Sequence, residues 1–302
     1  MTVGRRVVLV ETPAVQGSRP GDPPRPVQAS RHARRADWPG WVLWGVAGLV
    51  PLGFLGVFFA WPVAGLIARG FVVDGVFSLD GLRDVLSSGR TWRIIGQTLA
   101  LAVAGTAAAV LLGVPGAYLL YRVRFRGRAL ARALVSVPFV LPTVVVGVAF
   151  RSLFGAQGPL GGLGLDESFA AIVLALVFFN YSVIVRTVGA LWARLDPRAA
   201  EAARVLGASP ARVFRTVTLP AIAPAVLSGA SLVFLFCATA FGIVMVMGGV
   251  GFGTIETEIW YQTTQLLDLP AAAALSIVQL VVVVAALLVA GRARGRAEHA
   301  LR

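Results

Sequence analysis

The chain contains no lysine; all 27 of its Lys+Arg positions are arginine. A phosphate-binding loop of the GxxxxGK[ST] kind needs that lysine to reach the nucleotide phosphates, so the chain cannot carry one. Histidine is almost as scarce, with His32 and His299 both in polar terminal segments. The single cysteine, Cys237, sits inside an apolar run, where a small buried hydrophobe is its expected role and no intrachain disulfide is possible. Internal His/Cys metal clusters and nucleophile–histidine pairs are thereby excluded. Acidic residues number only 14, and none lies centrally in a long apolar run, which argues against the intramembrane carboxylates of an ion-coupled carrier.

What the chain has in abundance is apolar sequence: 57% of its 302 residues are hydrophobic and the mean hydropathy is +0.81. Six runs are long enough to cross a bilayer, which takes about 20 helical residues. They extend from Trp41 to Ile67, Ile94 to Tyr118, Ala133 to Phe154, Phe169 to Leu191, Ala221 to Met247 and Ala271 to Ala290. Prolines within them (Pro51, Pro62, Pro115, Pro138, Pro142) predict kinks, tolerated where neighbouring helices satisfy the freed carbonyls. The fold expected is an all-α, multi-pass integral membrane protein. The formal charge of +13 would point to nucleic acid in a soluble protein, but here the arginines cluster between apolar runs. Arg122, Arg124, Arg126, Arg128 and Arg132 crowd one connection, and Arg194, Arg198, Arg204, Arg212 and Arg215 another. With six spans these connections and both termini share a face, the cytoplasmic one by the positive-inside rule. Residues 1–37, rich in Pro and Arg, read as a disordered basic tail and 292–302 as a second basic tail, flanking a membrane domain over 41–291.

The segment from Glu201 to Pro220, EAARVLGASPARVFRTVTLP, interrupts two apolar runs with polar, helix-favouring sequence. Asp196-Pro197 is a helix start, an acidic cap followed by proline, and Gly207 can supply a left-handed end. Ser209-Pro210 repeats the start signal and Pro220 marks a further boundary, giving two short helices at a glycine corner. The small side chains of Ala199, Ala200, Ala202 and Ala203 would let another protein approach the backbone. The plain alternative is a loop in which Glu201 pairs with Arg198 or Arg204 at helical spacing.

Glu201-Ala202-Ala203, Gly207, Val217, Leu219 and Pro220 fall at the spacing of the signature cytoplasmic loop of ABC-importer permeases, with Val217 where isoleucine is usual. The chain resembles that family over 94–290, with the loop at 192–220. The resemblance implies a type I importer transmembrane domain of the bacterial inner membrane, without an ATPase site of its own. It implies a separate ABC ATPase dimer that uses ATP, an extracytoplasmic solute-binding protein, a second permease half and the lipid bilayer as partners, and no nucleic acid. No cofactor or metal is implied for the chain itself. The stretch from Gly248 to Gln262 is similar to the first half of thiamine and ferric-iron permeases, which makes those solutes the leading expectation. An oxyanion permease, for molybdate or sulfate, is the alternative; a secondary carrier and a passive scaffold are rivals from other classes. Asn180, Thr239 and Gln279 are candidates for the translocation path, against the plainer reading of helix-to-helix hydrogen bonds. Glu256 and Glu258 are expected to be solvated loop acids, Arg186 to snorkel to the headgroups, and Arg151 to mark the edge of the third span.

Overall fold

The computed structural model describes residues 38–73, 76–249 and 251–299, so the expectation for the N-terminal tail lies outside the described residues. The chain divides into two units, 1–57 and 58–302. In the first, the described residues form helix α1 (Trp38–Leu55), which carries Pro51 inside it. A π-helical turn, Gly56–Ala60, follows α1.

The second unit, from Phe58 onward, carries α2 (Trp61–Phe71), with Pro62 at its second position just after the π turn. A two-residue hairpin, β1 (Val72–Val73) with β2 (Val76–Phe77), leads to α3 (Asp80–Ser87) and then to α4 (Gly89–Tyr121), 33 residues long. Helices α5 (Arg128–Ser136) and α6 (Thr143–Phe154) come next, and α7 (Phe169–Trp192) is a straight apolar helix. Two short helices, α8 (Arg198–Val205) and α9 (Pro210–Val213), precede α10 (Leu219–Ala238). The chain ends in α11 (Gly242–Met247), α12 (Ile255–Thr264) and α13 (Leu269–His299). Among the described residues, five helical stretches are long and apolar enough to span a bilayer, six if a bent pair counts as one.

Three of these helices pack through glycine. A Cβ at Gly113 of α4 would lie 2.6 Å from the Ile184 Cβ of α7, and one at Gly105 would lie 2.9 Å from the Cys237 sulfur of α10. Gly229 of α10 faces Ile184 and Thr187 in turn. The pairings place α4 and α7 parallel, with α10 antiparallel to both. Small residues let the backbones approach closely, which in lipid replaces the hydrophobic driving force available in water. Leu101, Ile172, Leu176, Ile184 and Val233 are fully buried in the resulting core.

The structure refines four of these readings. The third run is not one straight helix: Arg128–Val140 and Thr143–Phe154 meet at 102°, where a 3-10 turn containing Pro138 is followed by Pro142 and cannot continue as α-helix. The fifth run stops at Ala238, and α11 starts afresh at Gly242. Pro220 is no boundary. The helix continues from Pro210 to Ala238 through a widened π turn, Phe214–Thr218, in which the Leu219 N–H reaches back to Phe214 O and room is made for the proline ring. The sixth helix continues past Ala290 to His299, so the expected C-terminal tail is helical over its described part.

Candidate functional site

Helix α8 carries the loop signature. Asp196 Oδ1 accepts from the Arg198 N–H at 2.9 Å and opens the helix. Gly207 closes it at φ +82°, a conformation that costs little without a Cβ, while Ala208 N–H reaches Ala203 O at 3.0 Å. Ser209 then accepts from Arg212 N–H and starts the helix that becomes α10. Glu201 and Ala202 are exposed and Ala203 is half-buried, and no ion pair joins Glu201 to Arg198 or Arg204. Val205 and Leu206, at the tip, are each 87% exposed. Of the later anchors, Val217 lies in the π turn, Leu219 opens α10 and Pro220 follows it. The signature is therefore a short helix with an exposed apolar end, resting on α9 and the π turn after it.

The pathway candidates separate. Asn180 and Thr239 line one cavity of about 330 Å3, together with Thr143 and the rings of Phe139, Phe179, Phe236 and Phe241. Asn180 is fully buried; its Nδ2 donates to Leu176 O at 3.0 Å and its Oδ1 has no hydrogen-bond partner. Gln279 does not reach this cavity. Its Nε2 donates to Ala238 O at 3.2 Å and to Glu256 Oε1 at 3.4 Å, so it caps the broken end of α10. The other carbonyl of the break, Ala240 O, accepts from the Thr254 hydroxyl at 3.3 Å. Helices α6 and α11 run parallel from the cavity, Thr143 and Val144 lying against Gly242, and Gly147 against Ile243 and Val246.

At the end of the molecule away from α8, Glu256 and Glu258 are not the solvated loop acids expected. Glu258 takes a two-pronged ion pair from Arg90, 2.9 Å at the shorter contact, and a further hydrogen bond from Gln262 at 2.9 Å. Burial pushes the Glu256 carboxyl above its usual range, and the Gln279 hydrogen bond partly draws it back. Thr254 and Thr257 form a capping box on α12. Gln97 and Thr98 of α4 fasten the preceding glycine turn through Gly251 O, Gly253 N–H and Ile255 N–H. Arg151 pairs with Glu167 at 3.0 Å and donates to Val246 O at 2.7 Å, while Arg186 is exposed. Sequence reasoning missed Arg90, Gln97 and Thr98, whose partners lie more than 150 residues away; no local signal marks them. Among the described residues no cluster of His, Cys, Asp and Glu could hold a metal ion.

The model of the "binding-protein-dependent transport system inner membrane component" family matches residues 109–295. A molybdenum transport system permease protein of Mycobacterium tuberculosis is 40% identical over 222 residues, covering 67% of this chain and 82% of that protein. A sulfate transport system permease protein of Salmonella typhimurium is 34% identical over 185 residues, covering 58% and 67%. A permease protein provisionally named for 2-aminoethylphosphonate transport, also from Salmonella typhimurium, is 28% identical over 246 residues, covering 77% and 86%. Among solved structures, a bacterial ABC transporter for import of the acidic polysaccharide alginate superposes with a TM-score of 0.72 at 19% identity, over 85% of this chain and 96% of that one. That likeness shows the fold. Taken with the α8–Gly207 geometry, these matches place the chain in the binding-protein-dependent family of inner membrane components, as an ABC importer permease subunit.

Proposed function

We propose that this permease subunit moves a tetrahedral oxyanion or phosphonate across the inner membrane, driven by a separate ATPase that docks on α8. The protrusion of α8 carries the coupling half of this reading. A short helix with an apolar tip, ended by a left-handed glycine and resting on α9 and the π turn that follows it, suits insertion into a cleft on another subunit. The arginine-rich end on which it sits is then cytoplasmic, by the positive-inside rule. Glu201, Ala202, Ala203 and Gly207 form the docking element; Val217, Leu219 and Pro220 join it to the span. A binding protein would deliver solute to the opposite end, and a second permease half would complete the path.

The choice of an oxyanion over thiamine or ferric iron rests on two supports. The relatives described above are named for sulfate, molybdenum and 2-aminoethylphosphonate. The cavity at Asn180 and Thr239 is lined by no carboxylate, and α6 begins there without a side-chain cap on its first N–H groups. Such surroundings accommodate an anion better than a cation.

The test is uptake into liposomes holding the full complex of permease, ATPase and binding protein. ATP-dependent accumulation of labelled sulfate, molybdate or a phosphonate is expected. Accumulation of thiamine or ferric iron alone would overturn the solute; uptake that needs no ATP would overturn the coupling.

A further inference from the structure

A second cavity, of about 540 Å3, lies behind α8, where the ends of α4 and α7 meet the start of the α9–α10 helix. Its walls are an aromatic ladder: Tyr118 and Trp192 have ring centroids 5.4 Å apart, and Trp192 and Phe214 6.4 Å apart. Its polar side chains are Arg122, Arg204, Tyr118, Thr218 and Trp192, and no acidic residue lines it. None of these five makes a side-chain hydrogen bond or ion pair with another described residue, although Trp192 is 5% exposed and its indole N–H is a donor only. The nearby helix end does not spoil the field. The Leu120 and Tyr121 carbonyls that terminate α4 are already taken by Arg128 and Arg132, with Leu120 O accepting from Arg132 Nε at 2.9 Å.

Residues bearing unpaired donors line one space, with two exposed guanidinium groups and no acid among them. We infer that this cavity binds a phosphate-like anion, held between Arg122 and Arg204 and against the indole N–H of Trp192. The site is distinct from the translocation cavity and does not depend on which solute is carried. Arg122 stands at the end of α4 and Arg204 on α8, so a bound anion ties the protruding helix to the membrane bundle. Two sources supply this chemistry: the headgroup of an anionic phospholipid, at the depth where these helices end, and free anion in solution.

The test uses the purified permease–ATPase complex in nanodiscs of phosphatidylcholine, with and without phosphatidylglycerol. Native mass spectrometry counts retained phosphatidylglycerol, and calorimetry follows inorganic phosphate titrated into the phosphatidylcholine discs. The wild type is expected to retain the anionic lipid or to bind phosphate. The double variant Arg122→Gln/Arg204→Gln should lose at least about tenfold in whichever is bound, the factor for one charge-assisted hydrogen bond. Trp192→Phe keeps the ladder, removes the N–H and should lose less; it also serves if the double variant does not assemble. Lipid retained against excess phosphate identifies the headgroup as the source, and phosphate bound without lipid identifies the free anion. Equal binding by wild type and both variants, or no binding of either probe by the wild type, overturns the proposal.

Discussion

The two ends of the bundle hold their charges in opposite ways. At the end away from α8, two arginines are paired internally, Arg90 with Glu258 and Arg151 with Glu167, and Gln97 and Thr98 secure the glycine turn, while Arg83 and Arg93 are exposed without an ion pair. At the α8 end the described arginines have no acidic partner at all. Arg128 and Arg132 cap the carbonyl end of α4, Arg132 also lies over the Tyr121 ring at 4.3 Å, and the side chains of Arg122, Arg194 and Arg204 pair with no other described residue. One end is finished in part by its own acids. The other is built to be completed by something else, whether a subunit, a headgroup or an anion.

Several changes would break or sharpen that contrast. The largest effect is expected from Gly207→Pro, since proline cannot adopt φ +82° and the corner after α8 would be lost. Uptake by membrane vesicles should fall to background while the amount of inserted protein stays normal; Glu201→Arg should act similarly by altering the docking face. Normal uptake by either well-inserted variant would remove α8 from the coupling role. At the finished end, Glu258→Gln should leave transport coupling intact but lower stability by about 1 kcal/mol, because Arg90 is 64% exposed and water screens much of the pair. Thermal unfolding in detergent reads this directly.

A smaller effect follows from Glu256. Its carboxyl is raised by burial, so the folded chain binds its proton more tightly than the unfolded chain does. Stability should therefore rise as pH falls through the folded pKa, until the usual carboxylate value is reached. Glu256→Gln should flatten this dependence and be slightly stabilising at neutral pH; an unchanged pH profile would contradict the assignment. The smallest effect belongs to Arg194→Gln at the unfinished end, within about 0.5 kcal/mol, as expected where no internal partner is lost. A loss equal to that of Glu258→Gln would mean the two ends are built alike.

The family and the loop were legible in the sequence because their signals are local: hydropathy runs, arginine clusters, and the spacing from Glu201 to Pro220. The breaks were less so. Ala238-Thr239-Ala240-Phe241 is as apolar as the helices around it, and what ends α10 is a pair of distant side chains, Gln279 and Thr254, that catch its carbonyls. The prolines at 138 and 142 were visible, but a kink and a 102° corner look the same in one dimension. Asn180 and Thr239 line one cavity, while the Gln279 amide is engaged at the end of α10, a partner that only the folded chain brings near. Glu258 read as a solvated acid because nothing near it in sequence announces Arg90.

The glycine contacts among α4, α7 and α10 bear on how many independent motions the subunit has. Helix α8 is the short link from the end of α7 to the helix that becomes α10, and those two are locked together at Gly229 and Ile184. A push on α8 cannot slide one past the other without lifting a glycine out of its seat. The three long helices are therefore expected to turn as one lever, with the displacement at the protruding tip delivered, undivided, to the cavity at Asn180 and to the break beyond it.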